Sequence, residues 1–116
     1  MIDYVELVVD DLDQAKAFYG AALGWKFTDY GPEYVGFQNP DKPGEEFGGM
    51  YPQPPSPRGD GGVLALVRTN DVDAALASVL GAGGRIRDEL HEYPGGRRFT
   101  FLDPSGNHLG VYQPDH

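Results

Sequence analysis

Hydrophobic residues along the chain follow two different periods, and each period predicts a type of secondary structure. Residues 2–9 alternate between two faces, which is typical of a β-strand. One face carries Val5, Leu7 and Val9, and the other carries Tyr4, Glu6 and Val8. Apolar residues then recur at three- and four-residue spacing as far as Gly24. This spacing predicts an amphipathic helix over residues 11–22, with Asp10 or Asp11 as its N-cap.

The opening of this helix occurs a second time in the chain. The segment Asp11-Leu12-Asp13-Gln14-Ala15 returns 60 residues later as Asp71-Val72-Asp73-Ala74-Ala75, again after a strand-like run. A second helix is therefore predicted over residues 71–81. Further strands are predicted around residues 25–30, 34–38, 47–51, 63–69, 85–89, 97–102 and 109–113. The order βαβββ occurs twice, so the sequence predicts an α+β fold of two similar modules.

The turn-forming residues between the two halves predict how the chain is divided. Residues 52–62 are rich in Pro and Gly and are predicted to form a linker rather than regular structure. We expect module one over residues 1–51 and module two over residues 63–116, within a single domain over residues 1–116. Two paired modules meet at a seam, where ligand pockets are commonly found.

Composition and charge narrow the possible functions. The chain has 116 residues, of which 40% are hydrophobic, and it has no Cys, so we expect a globular protein without disulfides or thiol chemistry. No apolar run reaches membrane length and no signal peptide is present, which predicts a cytoplasmic protein without a membrane partner. The net charge of −9 argues against a nucleic-acid partner. It suits a cationic small molecule, although solubility alone also explains it.

Two motifs resemble those of a known family. The first runs through the first helix, and the second lies near the C-terminus. Their residues are Val9-Asp10-Asp11-Leu12-x-x-Ala15-x-x-Phe18-Tyr19-x-x-x-Leu23-Gly24-Trp25 and Phe101-x-Asp103-Pro104-x-Gly106-Asn107-x-Leu109. With the internal repeat, they resemble the vicinal oxygen chelate superfamily, which contains glyoxalase I, the bleomycin-resistance proteins and the extradiol dioxygenases. The segment Gly48-Gly49-Met50 is similar to a glyoxalase-like branch.

The resemblance implies a fold but leaves the function open. Together with the strand parity, it predicts that the two βαβββ modules form a curved open mixed sheet, a half-barrel, with the helices on its convex side. The same fold serves isomerases, oxygenases, lyases and proteins that only bind ligands.

The resemblance also implies where a metal ion would bind. In metal-dependent members, each module supplies one ligand from its first strand and one from its last strand. The corresponding positions in this chain are Tyr4, Gly49 or Met50, Leu64 and Gly110. These residues replace the His, Glu or Gln side chains that such sites require, so we expect no metal ion and no other cofactor.

Glu6 and His108 are the main candidates for a polar ligand site. Glu6 shares a strand face with Tyr4, so both are expected on the concave side. There, Glu6 is a receptor for a cation or, if partly desolvated, a base with a raised pKa. Alternatively, it is a solvated or dimer-paired carboxylate. His108 and Tyr112 share the face of Gly110 and are expected in the same cavity, although His108 fits an exposed turn equally well.

Four further residues leave alternatives open. His91 is expected in a surface loop, or in a loop over the mouth of the cavity. Either Arg97 or Arg98 points inward, and the sequence does not decide which. Trp25 suits either core packing or a platform on which a ligand stacks.

Two classes of function remain. A binding protein of the bleomycin-resistance type needs only an acidic, aromatic-lined groove, generally formed by a homodimer. The ligand-binding residues that we predict are Tyr4, Glu6, Trp25, Phe37, Met50, Tyr51, Leu64, Leu66, His108 and Tyr112. The alternative is a glyoxalase-like lyase or a metal-independent isomerase that uses Glu6 as acid and base, with His108 or Tyr4. We favour a homodimeric binding protein with a degenerate metal site that sequesters a cationic or aromatic compound.

Overall fold

The computed structural model describes residues 2–58 and 62–115, so residues 59–61 of the predicted linker lie outside the described chain. Module one contains β1 (Val5–Val9), α1 (Leu12–Leu23), β2 (Lys26–Asp29), β3 (Val35–Gln38) and β4 (Glu46–Pro52). Module two contains β5 (Ala65–Arg68), α2 (Val72–Gly81), β6 (Arg85–Tyr93), β7 (Gly96–Leu102) and β8 (His108–Pro114).

Each module contributes one four-stranded sheet. Sheet one has the order β1-β4-β3-β2 and sheet two has the order β5-β8-β7-β6. The first strand of each module pairs in parallel with the last, and the other pairs are antiparallel, so both sheets are mixed. Neither sheet closes into a barrel. The predicted α+β fold, with two βαβββ modules and open mixed sheets, is confirmed.

The repeated aspartates explain why both helices begin where they do. Asp11 has an extended backbone, and its carboxylate accepts the N–H of Gln14 at 2.8 Å. Asp71 does the same for the N–H of Ala74 at 3.0 Å. Each therefore caps the first turn of its helix. Helix α1 ends at Gly24, whose φ of 72° lies in the left-handed region that favours glycine.

A single core joins the two modules. Its fully buried aromatic and aliphatic members include Val9, Phe18, Tyr19, Phe37, Met50, Val72, Val79, Phe99, Phe101 and Val111. Helix α1 reaches across to module two, where the Phe18 ring lies 5.9 Å from that of Phe101. Both sheets therefore turn one face towards this shared core, which leaves the other face of each sheet pointing outward.

The linker is held against both modules by a buried arginine. The Arg58 side chain is only 8% exposed and forms an ion pair with Asp10, at the end of the first strand. Its guanidinium also donates to the carbonyl of Ser105 in module two at 3.1 Å. Arg58 thus ties the linker to the place where the modules meet.

Strand β6 is longer than the sequence indicates. It continues to Tyr93, which pairs with Gly96 across a two-residue turn of Pro94 and Gly95. His91 is therefore exposed on a strand, and the expectation that it lies in a loop is corrected. Because the turn has only two residues, the two strands stay paired as far as Tyr93 and Gly96. The Pro-Gly-Gly segment therefore forms a tight hairpin turn instead of the predicted loop. Neither helix of the described chain is long and apolar enough to cross a membrane.

Candidate functional site

The outward side of sheet one carries a group of polar and small residues. Strand register places Glu6 beside Gly49, and Gly49 beside Gly36, so all three share one face. Tyr34 and Tyr51 follow the same alternation. We call this surface the open face of sheet one. The intervening residues Leu7, Val35, Phe37 and Met50 face the core.

Three phenols and two carboxylates meet on this face. The members of this tyrosine–glutamate cluster are Tyr4, Glu6, Tyr30, Tyr34 and Glu46. The Tyr4 hydroxyl donates to Oε2 of Glu46 at 2.8 Å, and the Tyr30 hydroxyl donates to its Oε1 at 2.9 Å. The Tyr34 hydroxyl donates to Oε2 of Glu6 at 2.7 Å and lies 3.1 Å from the Tyr4 hydroxyl. Each of these two phenols thus donates its single proton to a different carboxylate, and the short distance between their oxygen atoms brings the two pairs together.

Two glycines make room for the cluster. A Cβ atom on Gly36 would lie 1.7 Å from Oε1 of Glu46, and a Cβ atom on Gly49 would lie 2.2 Å from the Tyr34 hydroxyl. Glu46 and Tyr34 therefore lie flat over the backbone of β3 and β4. Any larger residue at either glycine would displace them.

Tyr30 and Tyr34 are brought together by the hairpin between β2 and β3. The Tyr30 N–H donates to the carbonyl of Tyr34 at 2.9 Å, and Gly31 takes a φ of 102° inside the turn. The two rings lie 6.2 Å apart with their planes tilted by 51°. The hairpin thus supplies two aromatic walls at one edge of the open face.

The phenols of the cluster are stabilised in their neutral form. Burial, followed by hydrogen bonds to Tyr34 and Glu46, raises the pKa of Tyr4 far above its usual range. The hydrogen bond to Glu46 raises the pKa of Tyr30. Burial raises the pKa of Tyr34, an effect that its hydrogen bond to Tyr4 opposes and that to Glu6 reinforces. At neutral pH these hydroxyls are therefore protonated and act as hydrogen-bond donors.

The role of Glu46 can be tested through the titration of the phenols. Glu46→Gln removes the negative charge beside Tyr4 and Tyr30, so we expect the pKa of both to fall towards the ordinary value of about 10. The measurement is an alkaline titration followed by the ultraviolet absorbance of the phenolates. Glu45→Gln changes the neighbouring exposed carboxylate and is the matched control. A Glu46→Gln curve that coincides with that of wild type would contradict the cluster.

The outward side of sheet two has a different composition. We call this surface, formed by Leu66, Arg98, Thr100, His108, Gly110 and Tyr112, the open face of sheet two. The β7–β8 register places Arg98 beside Tyr112 and Thr100 beside Gly110. His108 is the first residue of β8 and is half-buried, which settles its placement on the strand rather than in a turn.

The two neighbouring arginines of β7 point to opposite faces. Arg97 points towards α2 and forms two hydrogen bonds with Asp73, at 3.0 and 3.2 Å. Arg98 lies on the open face of sheet two, with its guanidinium carbon 5.4 Å from the centre of the Tyr93 ring. The structure thus decides which arginine belongs to an open face.

The sequence-predicted site residues fall into three groups. Tyr4, Glu6 and Tyr51 lie on the open face of sheet one, whereas Leu66, His108 and Tyr112 lie on that of sheet two. These two groups lie on different sheets. Leu64 is half-buried just before β5. The third group is Trp25, Phe37 and Met50.

This third group belongs to the core, which corrects the prediction that these residues line the same surface as Glu6. Met50 is fully buried because Gly49, and not Met50, shares a face with Glu6. Trp25 stacks between Tyr19 and Phe37, with ring centres 4.6 and 4.4 Å apart. Both faces of the indole are covered, so Trp25 is a packing residue and not a stacking platform.

A small apolar cavity nevertheless lies at the seam between the modules. It has a volume of about 110 Å³ and is lined by residues that include Trp25, Phe37, Phe47, Leu66 and Leu109. The cavity thus brings together Trp25, Phe37 and Leu66, three of the residues that the sequence predicts to bind a ligand. The cavity is distinct from the tyrosine–glutamate cluster, and its lining offers no ionisable side chain.

The residues at the positions that the resemblance assigns to a metal ion make other contacts. A Cβ atom on Gly110 would lie 2.4 Å from Cδ2 of Leu66, so leucine fills the space that a longer ligand side chain would need. Tyr4 donates its proton to Glu46. Within residues 2–58 and 62–115, no three His, Cys, Asp or Glu side chains are grouped so that they could hold a metal ion.

Three residues of the cluster were not predicted from the sequence. Tyr30, Tyr34 and Glu46 come from the turn before β3 and from the start of β4. A signal was present in the paired glycines, because Gly36 and Gly49 leave a gap on the face that carries Glu6. The irregular pairing near Gln38, which brings Glu46 over Gly36, has no counterpart in the sequence pattern.

Comparison with known proteins assigns the family. The family model for the "Glyoxalase/Bleomycin resistance protein/Dioxygenase superfamily" matches residues 1–111. The chain belongs to this superfamily. It is 29% identical over 97% of its length to the anthracycline biosynthesis protein DauV of Streptomyces sp. (strain C5), and 28% identical over 96% to the putative glyoxylase CFP32 of Mycobacterium bovis. These matches cover 41% and 44% of the two relatives, so the chain spans less than half the length of either protein.

A solved structure of similar length extends the comparison. The crystal structure of TnmS3, described as an antibiotic binding protein from Streptomyces sp. CB03234, superposes with a TM-score of 0.73 at 26% sequence identity. The superposition covers 99% of this chain and 96% of TnmS3. The glyoxalase/bleomycin resistance fold of this chain is therefore matched over its whole length.

Proposed function

We propose that this member of the superfamily binds a small cationic organic molecule on the open face of sheet one. The observation that carries the proposal is the tyrosine–glutamate cluster. Two carboxylates lie among three tyrosine rings, and Glu6, Tyr4 and Tyr30 remain exposed to a ligand. Aromatic faces and carboxylates are the two groups that attract an ammonium ion or another organic cation.

The distribution of charge supports a cationic ligand. Residues 1–51 contain ten acidic and three basic side chains, whereas residues 63–116 contain seven acidic and five basic ones. The excess negative charge therefore belongs to the module that carries the cluster. Such a field raises the local concentration of cations and speeds their association.

The hydrogen bonds within the cluster support recognition rather than mere surface charge. The phenols hold Glu6 and Glu46 in fixed positions before a ligand arrives, which lowers the entropic cost of binding. Each carboxylate oxygen keeps a lone pair beyond the one that the phenol uses. A cationic N–H group can therefore bind without displacing the tyrosines.

The relatives support a small organic ligand. TnmS3 is described as an antibiotic binding protein, and DauV as an anthracycline biosynthesis protein. TnmS3 is matched over nearly its whole length, so a binding function extends to this chain more directly than the activity of the longer relatives.

The proposal includes a homodimer. Strands β1 and β5 are edge strands of their sheets, and the exposed apolar residues Ile2 and Val63 lie just before them. Unpaired edges with apolar residues need a cover. A second copy would also bring the open face of sheet one close to another open face, which would enclose the ligand.

Light scattering at micromolar concentration tests the dimer. We expect twice the chain mass for wild type, and the mass of a single chain for Val63→Glu, because a carboxylate at that edge opposes apolar packing. Leu80→Glu, at an exposed leucine of α2, is the control and should remain dimeric. A monomeric wild type would contradict this part of the proposal.

The proposal also includes a degenerate metal site. Purified protein is expected to retain no stoichiometric Zn²⁺, Ni²⁺, Mn²⁺ or Fe²⁺, because Tyr4, Leu64 and Gly110 supply no ligand set. Elemental analysis after dialysis is the measurement. About one metal ion per chain would overturn this claim and turn attention to Glu6, Glu46 and His108 as ligands.

A second candidate function rests on the continuity of the cluster. Oxygen-to-oxygen distances of 2.7, 3.1 and 2.8 Å connect Glu6, Tyr34, Tyr4 and Glu46 in one chain. When one of the two carboxylates is protonated, its proton and the two phenolic protons fill all three contacts. The chain can then pass a proton between carboxylates that act as acid and base, as a metal-independent isomerase or a glyoxalase-like lyase would need. The same residues thus serve the alternative, which predicts turnover in addition to binding.

A thermal-shift screen tests the binding proposal. A ligand that binds only the native state raises the melting temperature. The panel contains benzyltrimethylammonium, cationic antibiotics, glutathione adducts and uncharged aromatic compounds. We expect the cationic aromatic compounds to raise the melting temperature at low ionic strength, and salt to reduce the shift. Equal shifts for charged and uncharged compounds would refute a cation site.

A further inference from the structure

The open face of sheet two contains two buried nitrogen atoms that lack a hydrogen-bond partner. Nε of Arg98 and Nε2 of His108 are shielded from solvent, and neither has a hydrogen-bond partner among the described residues. A buried donor without an acceptor is costly, and in folded proteins it commonly marks the place of a bound water, ion or ligand. Both side chains lie on the same face, since Arg98 stands beside Tyr112 and His108 beside Leu102.

The orientation and surroundings of Arg98 suit the binding of an anion. Its guanidinium lies over the Tyr93 ring, which holds the planar group in one orientation. In the part of the chain that the structure describes, no carboxylate forms an ion pair with it, although the protein has 18 acidic residues. Arg97, the next residue along the strand, is paired twice with Asp73. Of these two neighbouring arginines, the one that points to the open face is thus the one without a carboxylate partner.

His108 is also without a close partner. Its Nε2 atom lies 3.8 Å from Oδ2 of Asp88, which is beyond hydrogen-bond distance. That oxygen of Asp88 accepts instead from the hydroxyl of Thr100, at 2.7 Å. The Nε2 atom of His108 therefore makes no hydrogen bond within the described chain, while the Asp88 carboxylate lies at ion-pair distance from it.

An apolar surface lies between the two nitrogen atoms. Along β8, Gly110 lies between His108 and Tyr112, the residue that pairs with Arg98. The side chain of Leu66, on the neighbouring strand β5, covers Gly110. Leu66 is 43% exposed, and Tyr93 adds an aromatic ring beside Arg98. A small inorganic anion would leave this apolar surface uncovered, whereas an organic anion would bury it.

We propose that the open face of sheet two binds a small organic carboxylate. Arg98 holds the carboxylate, because its planar fork of N–H donors matches two oxygen atoms. Leu66 contacts the apolar body of the ligand, and His108 forms a further hydrogen bond with a ligand long enough to reach it. The site uses neither Glu6 nor any other member of the tyrosine–glutamate cluster, so it goes beyond the cation site proposed above.

An NMR titration with benzoate tests this site. Benzamide is the uncharged counterpart of the probe, and inorganic phosphate is the anion without an apolar body. We expect benzoate to shift resonances of β7 and β8 and to bind more tightly than either. Arg98→Gln should weaken benzoate binding about tenfold or more, the effect of losing a charge-assisted hydrogen bond. Arg97→Gln is the matched control, because the same change falls on the other face of the strand.

Three further variants make the test independent of whether Arg98→Gln folds. Arg98→Lys retains the charge but not the planar fork, so benzoate should bind less tightly than to wild type and more tightly than to Arg98→Gln. Leu66→Gln should reduce the preference for benzoate over acetate. Glu6→Gln should leave benzoate binding unchanged, which separates the failure of this site from the failure of the cation site.

Four results would overturn the proposal. One is the absence of benzoate binding to wild type at millimolar concentration, and another is equal binding to wild type and Arg98→Gln. A third is binding of phosphate that is as tight as that of benzoate. The fourth combines two observations: wild type does not bind benzoate, and Arg98→Gln is a monomer whereas wild type is a dimer. This result would assign Arg98 to an ion pair with a carboxylate of a second copy.

Discussion

Replacing Asp103 by alanine is expected to lower the free energy of unfolding by about 3–5 kcal/mol, because it leaves several buried donors without an acceptor. Asp103 is 2% exposed. Its carboxylate accepts the Tyr19 hydroxyl at 2.7 Å and the backbone N–H groups of Ser105 and Asn107 at 2.9 and 2.8 Å. It thus joins α1 of module one to the turn before β8, and both modules lose support when it is removed.

Urea unfolding at pH 7 measures the effect of Asp103→Ala. Asp115→Ala, at an exposed aspartate near the C-terminus, is the control and should stay within about 0.5 kcal/mol of wild type. Tyr19→Phe removes only one donor and is expected to cost about 1 kcal/mol. A midpoint for Asp103→Ala close to that of Asp115→Ala would contradict the assigned role.

Tyr19 also makes stability depend on pH at the alkaline end. Burial, and then the Asp103 carboxylate, raises the pKa of Tyr19 well above its ordinary value. The unfolded chain therefore loses this proton at a pH where the folded chain keeps it. Stability is fully present below pH about 10 and falls above it, by about 1.4 kcal/mol per pH unit for one such group. Tyr19→Phe should show a smaller alkaline loss than wild type.

Removing Asp10 is the second change with a large expected effect. Arg58 is 8% exposed and forms an ion pair with Asp10. Asp10→Ala leaves a buried guanidinium without its counter-charge, which costs about 3–5 kcal/mol. Arg58→Met removes the buried cation itself and leaves a carboxylate that is 28% exposed, so it should cost less than Asp10→Ala.

Urea unfolding of both single variants and of the double variant separates the contributions. The double variant should be more stable than the sum of the single losses predicts, because the two groups interact directly. Lys16→Met, which breaks the more exposed pair with Asp29, is the control and should cost less than about 1 kcal/mol. If Asp10→Ala costs no more than Lys16→Met, the buried arginine does not join the modules.

The fold was predictable because its signals are local and occur twice. Asp11 and Asp71 cap their helices through contacts three residues away, and Gly24 ends α1 in the left-handed region. Such contacts depend on short segments of the chain and appear directly in the sequence pattern. The end of β6 was missed because two residues, Pro94 and Gly95, suffice for the turn.

The candidate site was predictable only in part. The parity of the first strand correctly places Tyr4 and Glu6 on one face, but not their partners. Glu46 reaches the site through an irregular pairing of β3 with β4, and Tyr30 through a hairpin. Trp25 was ambiguous, because its position after the helix does not show that Tyr19 and Phe37 stack against it. These features depend on tertiary contacts, which residue periodicity does not encode.

The position of Glu6 bears directly on the proposed function. Glu6 is exposed on the open face of sheet one, so within one chain it is not the desolvated carboxylate that the sequence suggested. It is nevertheless held by the Tyr34 hydroxyl, on the face opposite to the core. A cation that binds there meets an oriented carboxylate, and further desolvation would come from a second copy or from the ligand.

The most direct test of the cation site is the affinity of benzyltrimethylammonium for Glu6→Gln and Glu46→Gln, measured by NMR titration at low ionic strength. Glutamine is nearly the same size as glutamate and removes only the charge. Glu89→Gln, at an exposed carboxylate of β6, is the control. We predict that each cluster variant loses about 1 kcal/mol or more of binding free energy, roughly a fivefold weaker affinity, while the control retains that of wild type. Equal affinity of all four proteins for the cation would contradict the account.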